Sequence, residues 1–148
     1  MVYVTRRETF CAAHRLFNPN FSDEQNEKIF GKCSNPNWHG HNYVLEVTVA
    51  GVPNPNTGYV IDLKKLKKII NEEIFLKVDH KHLNFDVDFL SGIIPTVENL
   101  AVKFWQILAP KIVDGKLYKI KLCETPESFV EYFGEPIEIK IFNLTGEN

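Results

Sequence analysis

Apolar and polar residues alternate in several stretches of the chain, which is the pattern of half-buried β-strands. The first predicted strand covers residues 2–14 and the second covers residues 41–50. Two later alternating runs, Leu117–Cys123 and Ser128–Phe133, predict a third and a fourth strand. Because alternate residues of a strand point to the same side, each run presents one apolar face to a core.

Two other stretches repeat apolar residues at the spacing of an amphipathic helix. The first follows Asp62, a favourable N-cap residue, and continues to Ile74. The second follows Pro95-Thr96, a typical helix start, and continues to Leu108. Both helices have a polar opposite face, so each is predicted to pack on a neighbouring element by one side only.

The predicted order of the main elements is strand, strand, helix, helix, strand, strand. This order is typical of an α+β fold, with a four-stranded antiparallel sheet and both helices on one face. The polar stretch between the first two strands predicts a long loop that holds a short helix near Asp23–Phe30. We expect a single domain over residues 1–148, since the sequence shows neither repeats nor a linker.

Composition narrows the class of protein. The chain has 148 residues, is 44% hydrophobic and carries a formal net charge of −2, so it lacks the basic character of a nucleic-acid-binding protein. Its apolar runs are too short to cross a bilayer, and its first residues lack a secretory signal. Three cysteines, an odd number, argue against a disulfide framework. A cytoplasmic protein is expected.

Candidate metal ligands lie at the start of the second strand. His39 and His41 are two residues apart, so in a strand their imidazoles lie side by side on the apolar face. His14 ends the first strand, and pairing of the two strands would bring it to the same place. Three imidazoles with one open position are the usual ligands of catalytic zinc, which this arrangement therefore predicts.

Three further positions carry candidate chemistry. Cys33 precedes the histidine pair. The residues leave two roles open for its thiol, either a fourth ligand of a closed metal site or a thiolate that acts as a base. Asp79 and His80 place a carboxylate beside an imidazole, a pairing suited to proton transfer. Glu124 ends an apolar strand face with a carboxylate, which suits a ligand that offers paired N–H donors.

Together these segments resemble the 6-pyruvoyl-tetrahydropterin synthase family and its bacterial relatives, the 6-carboxy-tetrahydropterin synthases of queuosine biosynthesis. The matching segments run in family order through nearly the whole chain and are Phe10–Leu16, Gly31–Tyr43, Asp79–Lys81, Pro95–Asn99 and Leu117–Thr125. The resemblance implies the T-fold, or tunnelling fold, in which subunits join into a barrel. It also implies a homohexamer of two stacked trimers, with active sites at subunit interfaces.

The resemblance also implies a role for each candidate residue. The implied zinc ligands are His14, His39 and His41. The implied catalytic residues are Cys33 as the base and Asp79 with His80 as the proton relay. The implied substrate-binding residues are Glu124 as the pterin anchor and Thr96 with Glu98 as accessory contacts. The implied substrate is 7,8-dihydroneopterin triphosphate, which would lose triphosphate while its side chain rearranges by internal redox tautomerisation. Val97 and His82 depart from residues common in the family.

The two branches of this family share a substrate but differ in product. The carboxy branch cleaves the side chain in a retro-aldol fashion and releases acetaldehyde, and its cysteine often precedes His-Gly-His by three residues. Here five residues separate Cys33 from His39, which favours the pyruvoyl branch. A non-catalytic zinc-binding or pterin-binding module is a further alternative. A zinc hydrolase is disfavoured because the sequence has no His-Glu-x-x-His helix.

Overall fold

The computed structural model describes residues 1–144, which form a β-sheet with helices packed on one of its faces. The strands are β1 (Val2–His14), β2 (His39–Gly51), β3 (Lys81–His82), β4 (Lys116–Cys123) and β5 (Phe129–Tyr132). The helices are α1 (Asp23–Phe30), α2 (Leu63–Ile70), α3 (Leu76–Val78) and α4 (Val97–Leu108). Short 3₁₀ turns lie at Gly31–Ser34 and Asp88–Leu90.

The sheet has five strands in the order β3-β1-β2-β4-β5. Pairs β1–β2, β2–β4 and β4–β5 are antiparallel, whereas β3 runs parallel to β1. The α+β class is therefore confirmed, but the prediction of four antiparallel strands is wrong for the outer edge. The reason is physical, since β3 has only two residues and is too short to show an alternating pattern.

The predicted helix after Asp62 is more complex than its apolar spacing indicates. Asp62 caps α2 by accepting a hydrogen bond from the backbone N–H of Lys64 at 2.8 Å. A π-helical turn at Asn71–Phe75 then separates α2 from α3 and keeps Ile74 buried. None of the helices within residues 1–144 has the length and apolar content needed to cross a membrane.

The core lies between the helices and the inward face of the sheet. It contains apolar side chains of β1, β2 and β4 on one side and of α2 and α4 on the other. Large members with less than 2% of their surface exposed include Tyr43, Leu45, Leu66, Ile70, Leu100, Phe104, Leu108 and Ile120. The opposite face of the sheet is open, and Tyr3 and Tyr118 pack against each other there with ring centroids 4.6 Å apart.

The register of β1 and β2 determines where the histidines meet. His14 lies opposite His39, and Ala12 lies opposite His41, at the end of the hairpin next to the long loop. Cross-strand neighbours in an antiparallel pair have Cβ atoms roughly 5 Å apart. The pairing inferred from strand parity is thus confirmed, and all three imidazoles belong to one end of the sheet.

Candidate metal centre

His14, His39 and His41 form one compact group, which we call the histidine cluster. One ring nitrogen from each of them lies within 4.8 Å of the others. The Nε2 atoms of His14 and His39 are 3.0 Å apart. Two nitrogen ligands of a tetrahedral zinc ion with bonds of about 2.0–2.1 Å would be roughly 3.3 Å apart. The spacing and chemistry of the cluster therefore fit a bound transition-metal ion.

His14 is held in a fixed orientation. Its side chain is completely buried, and its Nδ1 lies 2.9 Å from the carbonyl oxygen of Pro95, to which an Nδ1–H donates. The hydroxyl of Tyr43 lies 3.2 Å from the same nitrogen. With the proton on Nδ1, the lone pair of Nε2 faces the other histidines, as a metal ligand requires.

Sequence reasoning missed both supporting groups. Tyr43 follows His41 by two positions in the second predicted strand and so shares its face. This shared parity is the signal that could have found it. The carbonyl of Pro95 has no such signal, because any residue type carries a backbone acceptor.

The protonation states favour metal binding. The pKa of His14 falls to about 4, because burial, together with the nearby charges of the other histidines, lowers it more than the hydrogen bond to the Pro95 carbonyl raises it. Burial and His41 also lower the pKa of His39, with Glu124 opposing them. Because both shifts favour neutral imidazoles, these two rings keep lone pairs for a cation near neutral pH.

Glu124 lies directly beside the histidine cluster. One carboxylate oxygen, Oε1, is 3.4 Å from Nε2 of His14 and 3.4 Å from Nε2 of His41. The residue follows β4, and its backbone N–H donates to the carbonyl of Ser128 at 3.0 Å, which fixes this turn. The side chain is 24% exposed, so it can meet a ligand that approaches the cluster from solvent.

Cys33 occupies the 3₁₀ turn between α1 and β2 and is half-buried. Its carbonyl accepts a hydrogen bond from the backbone N–H of Leu16 at 2.8 Å, which ties the turn to the end of β1. Within residues 1–144, the potential metal ligands that cluster at this end of the sheet are the three histidines, and Cys33 is not one of them.

Thr96 and Glu98 lie next to the support of His14. Thr96 is the N-cap of α4, where its hydroxyl accepts a hydrogen bond from the backbone N–H of Asn99 at 3.3 Å. It directly follows Pro95, whose carbonyl contacts His14. Glu98 is exposed in the first turn of α4. Both side chains therefore belong to the same end of the molecule as the histidine cluster.

Asp79 and His80 lie elsewhere. Asp79 accepts hydrogen bonds from the backbone N–H of Cys11 at 2.9 Å and from Nδ1 of His80 at 2.9 Å. Burial alone would raise the pKa of Asp79, but these hydrogen bonds and the charge of His80 outweigh it and lower that pKa. The backbone N–H of His80 also donates to the Cys11 carbonyl at 2.6 Å, so the pair lies at the edge of β1 where β3 begins.

His82 is part of an aromatic contact beside the cluster. Its ring lies 5.0 Å from that of Trp38 and 4.6 Å from that of Phe85, measured between centroids. Trp38 directly precedes the candidate ligand His39 and has a φ of 52°, a value that is uncommon for a non-glycine residue. Contact with His82 helps to hold this strained residue in place.

Comparisons with known proteins show which family the chain resembles. The model of the family described as 6-pyruvoyl tetrahydropterin synthase matches residues 3–135. A Pongo abelii protein named 6-pyruvoyl tetrahydrobiopterin synthase is 49% identical over 132 residues, which cover 89% of this chain and 91% of the relative. A Rickettsia bellii protein named 6-carboxy-5,6,7,8-tetrahydropterin synthase is 31% identical, with 88% of this chain and 99% of the relative covered.

A solved structure shows the same fold. The 6-pyruvoyl tetrahydropterin synthase of Caenorhabditis elegans superposes with a TM-score of 0.85 at 40% identity, over 90% of this chain and 96% of that chain. The agreement extends over sequence, fold and nearly the full length of the matched proteins. On this evidence, the chain belongs to the 6-pyruvoyl tetrahydropterin synthase family.

Proposed function

We propose that this protein is a zinc-dependent lyase that converts 7,8-dihydroneopterin triphosphate to 6-pyruvoyl-tetrahydropterin and releases triphosphate. The observation that carries the proposal is the histidine cluster, in which a buried His14 directs its Nε2 toward His39 in a member of this family. The pyruvoyl product is favoured over the carboxy product because the relative named for the former is 49% identical, against 31% for the latter.

The histidine cluster would hold the metal through one ring nitrogen of each of its three imidazoles. Imidazole ligands suit zinc among other transition metals. When bound, the ion polarises the oxygen atoms of the substrate side chain and makes the neighbouring C–H bonds more acidic. His14 orients the site, because its Nδ1–H is held by the Pro95 carbonyl and its ring cannot turn away.

Cys33 is the proposed base. Within the described residues, Cys33 does not belong to the cluster of potential metal ligands. Its Sγ, as a thiolate, is therefore available to accept a proton from a substrate carbon atom. Its backbone is fixed to Leu16, two residues after His14, which keeps the thiol at the same end of the sheet. The second proton carrier is the imidazole of His80, oriented by the carboxylate of Asp79.

Glu124 is the proposed anchor of the pterin ring. Its carboxylate lies at the edge of the histidine cluster and is 24% exposed, so it can accept paired N–H donors from a ring bound beside the metal. Thr96 and Glu98 are proposed as accessory contacts, because both stand at the start of α4 beside Pro95. Ring recognition and metal binding would then share one pocket.

We further propose that the chain forms a T-fold homohexamer of two stacked trimers in the cytoplasm. A subunit interface would give the exposed imidazole of His80, which Asp79 holds at the edge of the sheet, a neighbouring active site to serve. The short edge strand β3 and the outer strand β5 offer unpaired backbone groups to neighbouring subunits. In this arrangement one subunit supplies the histidine cluster and another supplies the proton relay.

A product assay tests the proposal. Purified metal-loaded protein is incubated with 7,8-dihydroneopterin triphosphate, and the pterin product, triphosphate and acetaldehyde are each measured. We expect 6-pyruvoyl-tetrahydropterin with one triphosphate per turnover and no acetaldehyde. Acetaldehyde in equal yield would instead assign the 6-carboxy-tetrahydropterin reaction. Metal and pterin binding without turnover would mean a non-catalytic binding module.

A further inference from the structure

The segment of residues 136–144 lies beyond the part of the chain that the family model matches, which ends at residue 135. We call it the docking segment. It has no regular secondary structure, yet it returns to the body of the protein. Pro136 and Ile137 lie in a groove beside Trp105 of α4, and Phe142 reaches the loop that precedes that helix.

The docking segment makes its main contact at Gly92. The backbone N–H of Phe142 donates to the Gly92 carbonyl at 2.7 Å, and only 9% of the Phe142 residue is exposed. Gly92 has a φ of 74°, and a Cβ atom there would lie 2.4 Å from the carbonyl oxygen of Phe142. This contact needs glycine both for its left-handed backbone and for the close approach of the segment.

Phe142 also faces residues that are neighbours in sequence of His14 and of Pro95. Together with Phe17 and Ile94 it lines a cavity of about 240 Å³. Phe17 follows β1 by three residues, and Ile94 directly precedes Pro95. The docking segment therefore shares this cavity with the loop that leaves His14, and it directly contacts, at Gly92, the loop whose carbonyl holds His14.

Only two residues separate Gly92 from Pro95, whose carbonyl oxygen accepts the Nδ1–H of His14 at 2.9 Å. From the other side, the side-chain amide of Asn99 donates to the Ile94 carbonyl at 2.9 Å. The segment 92–95 is thus held between α4 and the docking segment. Its position sets the direction in which the Pro95 carbonyl points.

We infer that Phe142 and Gly92 are positioning residues for the metal ligand His14, acting through the carbonyl of Pro95. The inference rests on the proposed metal site, and it adds to that site Phe142, which lies outside the family match. A group that orients a ligand imidazole typically changes metal affinity by about 10- to 100-fold when it is lost. Release of the docking segment would therefore weaken metal binding without removing any ligand.

Cobalt binding tests this inference independently of turnover. The metal-free full-length protein is titrated with Co²⁺ alone, and the visible d–d absorption gives both the affinity and the ligand geometry. We expect Phe142→Ala to weaken Co²⁺ binding about tenfold or more and to alter the spectrum, and Phe142→Leu to restore most of the affinity. The control is Ile112→Ala, a buried residue at the opposite end of the sheet, which should lower stability but leave the cobalt affinity unchanged.

Gly92→Ala provides a second variant, since its new methyl group would displace the Phe142 carbonyl while leaving the docking segment intact. It should weaken Co²⁺ binding in the same way. Wild-type affinity in the folded Phe142→Ala and Gly92→Ala proteins would overturn the inference and make the segment a source of stability only. Failure of the wild-type protein to bind Co²⁺ would instead contradict the proposed metal site.

Discussion

At the scale of single residues, the site depends on a histidine that is buried without charge. His14 has no exposed surface, and its surroundings include a carbonyl, a phenol, two other imidazoles and the carboxylate of Glu124. Burial disfavours the imidazolium form, which is why the pKa of His14 falls to about 4. In the metal-free protein this makes His14 both a ready ligand and a source of acid sensitivity.

The metal-free protein should therefore lose stability as the pH falls from 6.5 to 4. Above pH 6.5 His14 is neutral in both the folded and the unfolded chain, so it contributes no pH dependence. Between these values the unfolded chain binds a proton that the folded chain does not, which lowers the free energy of unfolding by up to about 3 kcal/mol. Below pH 4 both forms are protonated and this contribution stops changing.

Urea denaturation of the metal-free protein at a series of pH values measures this effect. The variant His14→Gln lacks the titrating ring and should show a flatter dependence over the same range. Parallel curves for the two proteins would show that His14 does not carry the acid sensitivity. Chelator must be present throughout, because a bound metal would hold the imidazoles deprotonated and mask the difference.

Cys33 is the residue that distinguishes an open metal site from a closed one. If it acts as base, Cys33→Ala should keep the metal and lower turnover by about 100-fold or more, because a positioned base typically contributes a factor of that size. Metal content by atomic emission and turnover on 7,8-dihydroneopterin triphosphate are the two measurements. The control is Cys123→Ala, another half-buried cysteine, which should retain both. Loss of metal from Cys33→Ala would assign the thiolate as a fourth ligand.

At the scale of elements, β3 is small, but it is fastened to β1 at several points. Its two residues pair with Ala12 and Ala13, and the Leu83 N–H continues the ladder by donating to the Ala13 carbonyl at 2.8 Å. The side-chain amide of Asn84 then takes the place of a strand backbone. It accepts a hydrogen bond from the Arg15 N–H and donates one to the Arg15 carbonyl, both at 2.9 Å. This edge keeps the strand end with His14 in place.

Removal of that side chain should destabilise the edge. We expect Asn84→Ala to lower the free energy of unfolding by about 1–3 kcal/mol, because both backbone groups of Arg15 lose a partly buried partner. Urea denaturation measures the change, and Asn56→Ala in the exposed turn at residues 53–58 serves as the control. Equal stability of the two variants would mean that water replaces Asn84 without loss.

The elements that sequence predicts well are those with a repeating side-chain pattern. The bounds of β1 and α4 agree with the prediction, because alternation and helical spacing extend over many residues. Strand parity likewise brought His14 to His39, since the register is fixed once one face is buried. The short β3 and the π-helical turn were not predicted, because they depend on backbone hydrogen bonds that leave no periodic pattern in the sequence.

The same distinction holds at the metal centre. The ligand candidates have distinctive side chains and were found from sequence, whereas the Pro95 carbonyl that orients His14 is a backbone atom. The docking segment was missed for a related reason. Its contact with Gly92 depends on a left-handed glycine and a close backbone approach, and neither follows from the hydrophobic pattern.

At the scale of the whole molecule, the position of Asp79 and His80 bears on the proposed assembly. Both are hydrogen-bonded to the backbone of Cys11, which lies about 10 Å along β1 from His14 and directly precedes Ala12, the cross-strand partner of His41. The side chain of His80 is 79% exposed and so is free to contact another subunit. A relay that serves a neighbouring subunit makes each complete active site depend on two chains.

Mixing of two inactive variants should therefore restore activity. Cys33→Ala lacks the base, and His80→Asn lacks the relay while keeping a residue type that tolerates the left-handed φ of 58° at this position. When the two are dissociated and reassembled at equal amounts, random mixing gives about a quarter of the sites both intact groups, provided that these come from different chains. Turnover of the mixture should then rise to roughly that fraction of the wild-type rate, whereas each variant reassembled alone stays inactive. Sedimentation velocity should show particles of six times the mass of one chain in all samples. A mixture no more active than its parts would place both groups of a site on one chain and would remove the main argument for active sites at subunit interfaces.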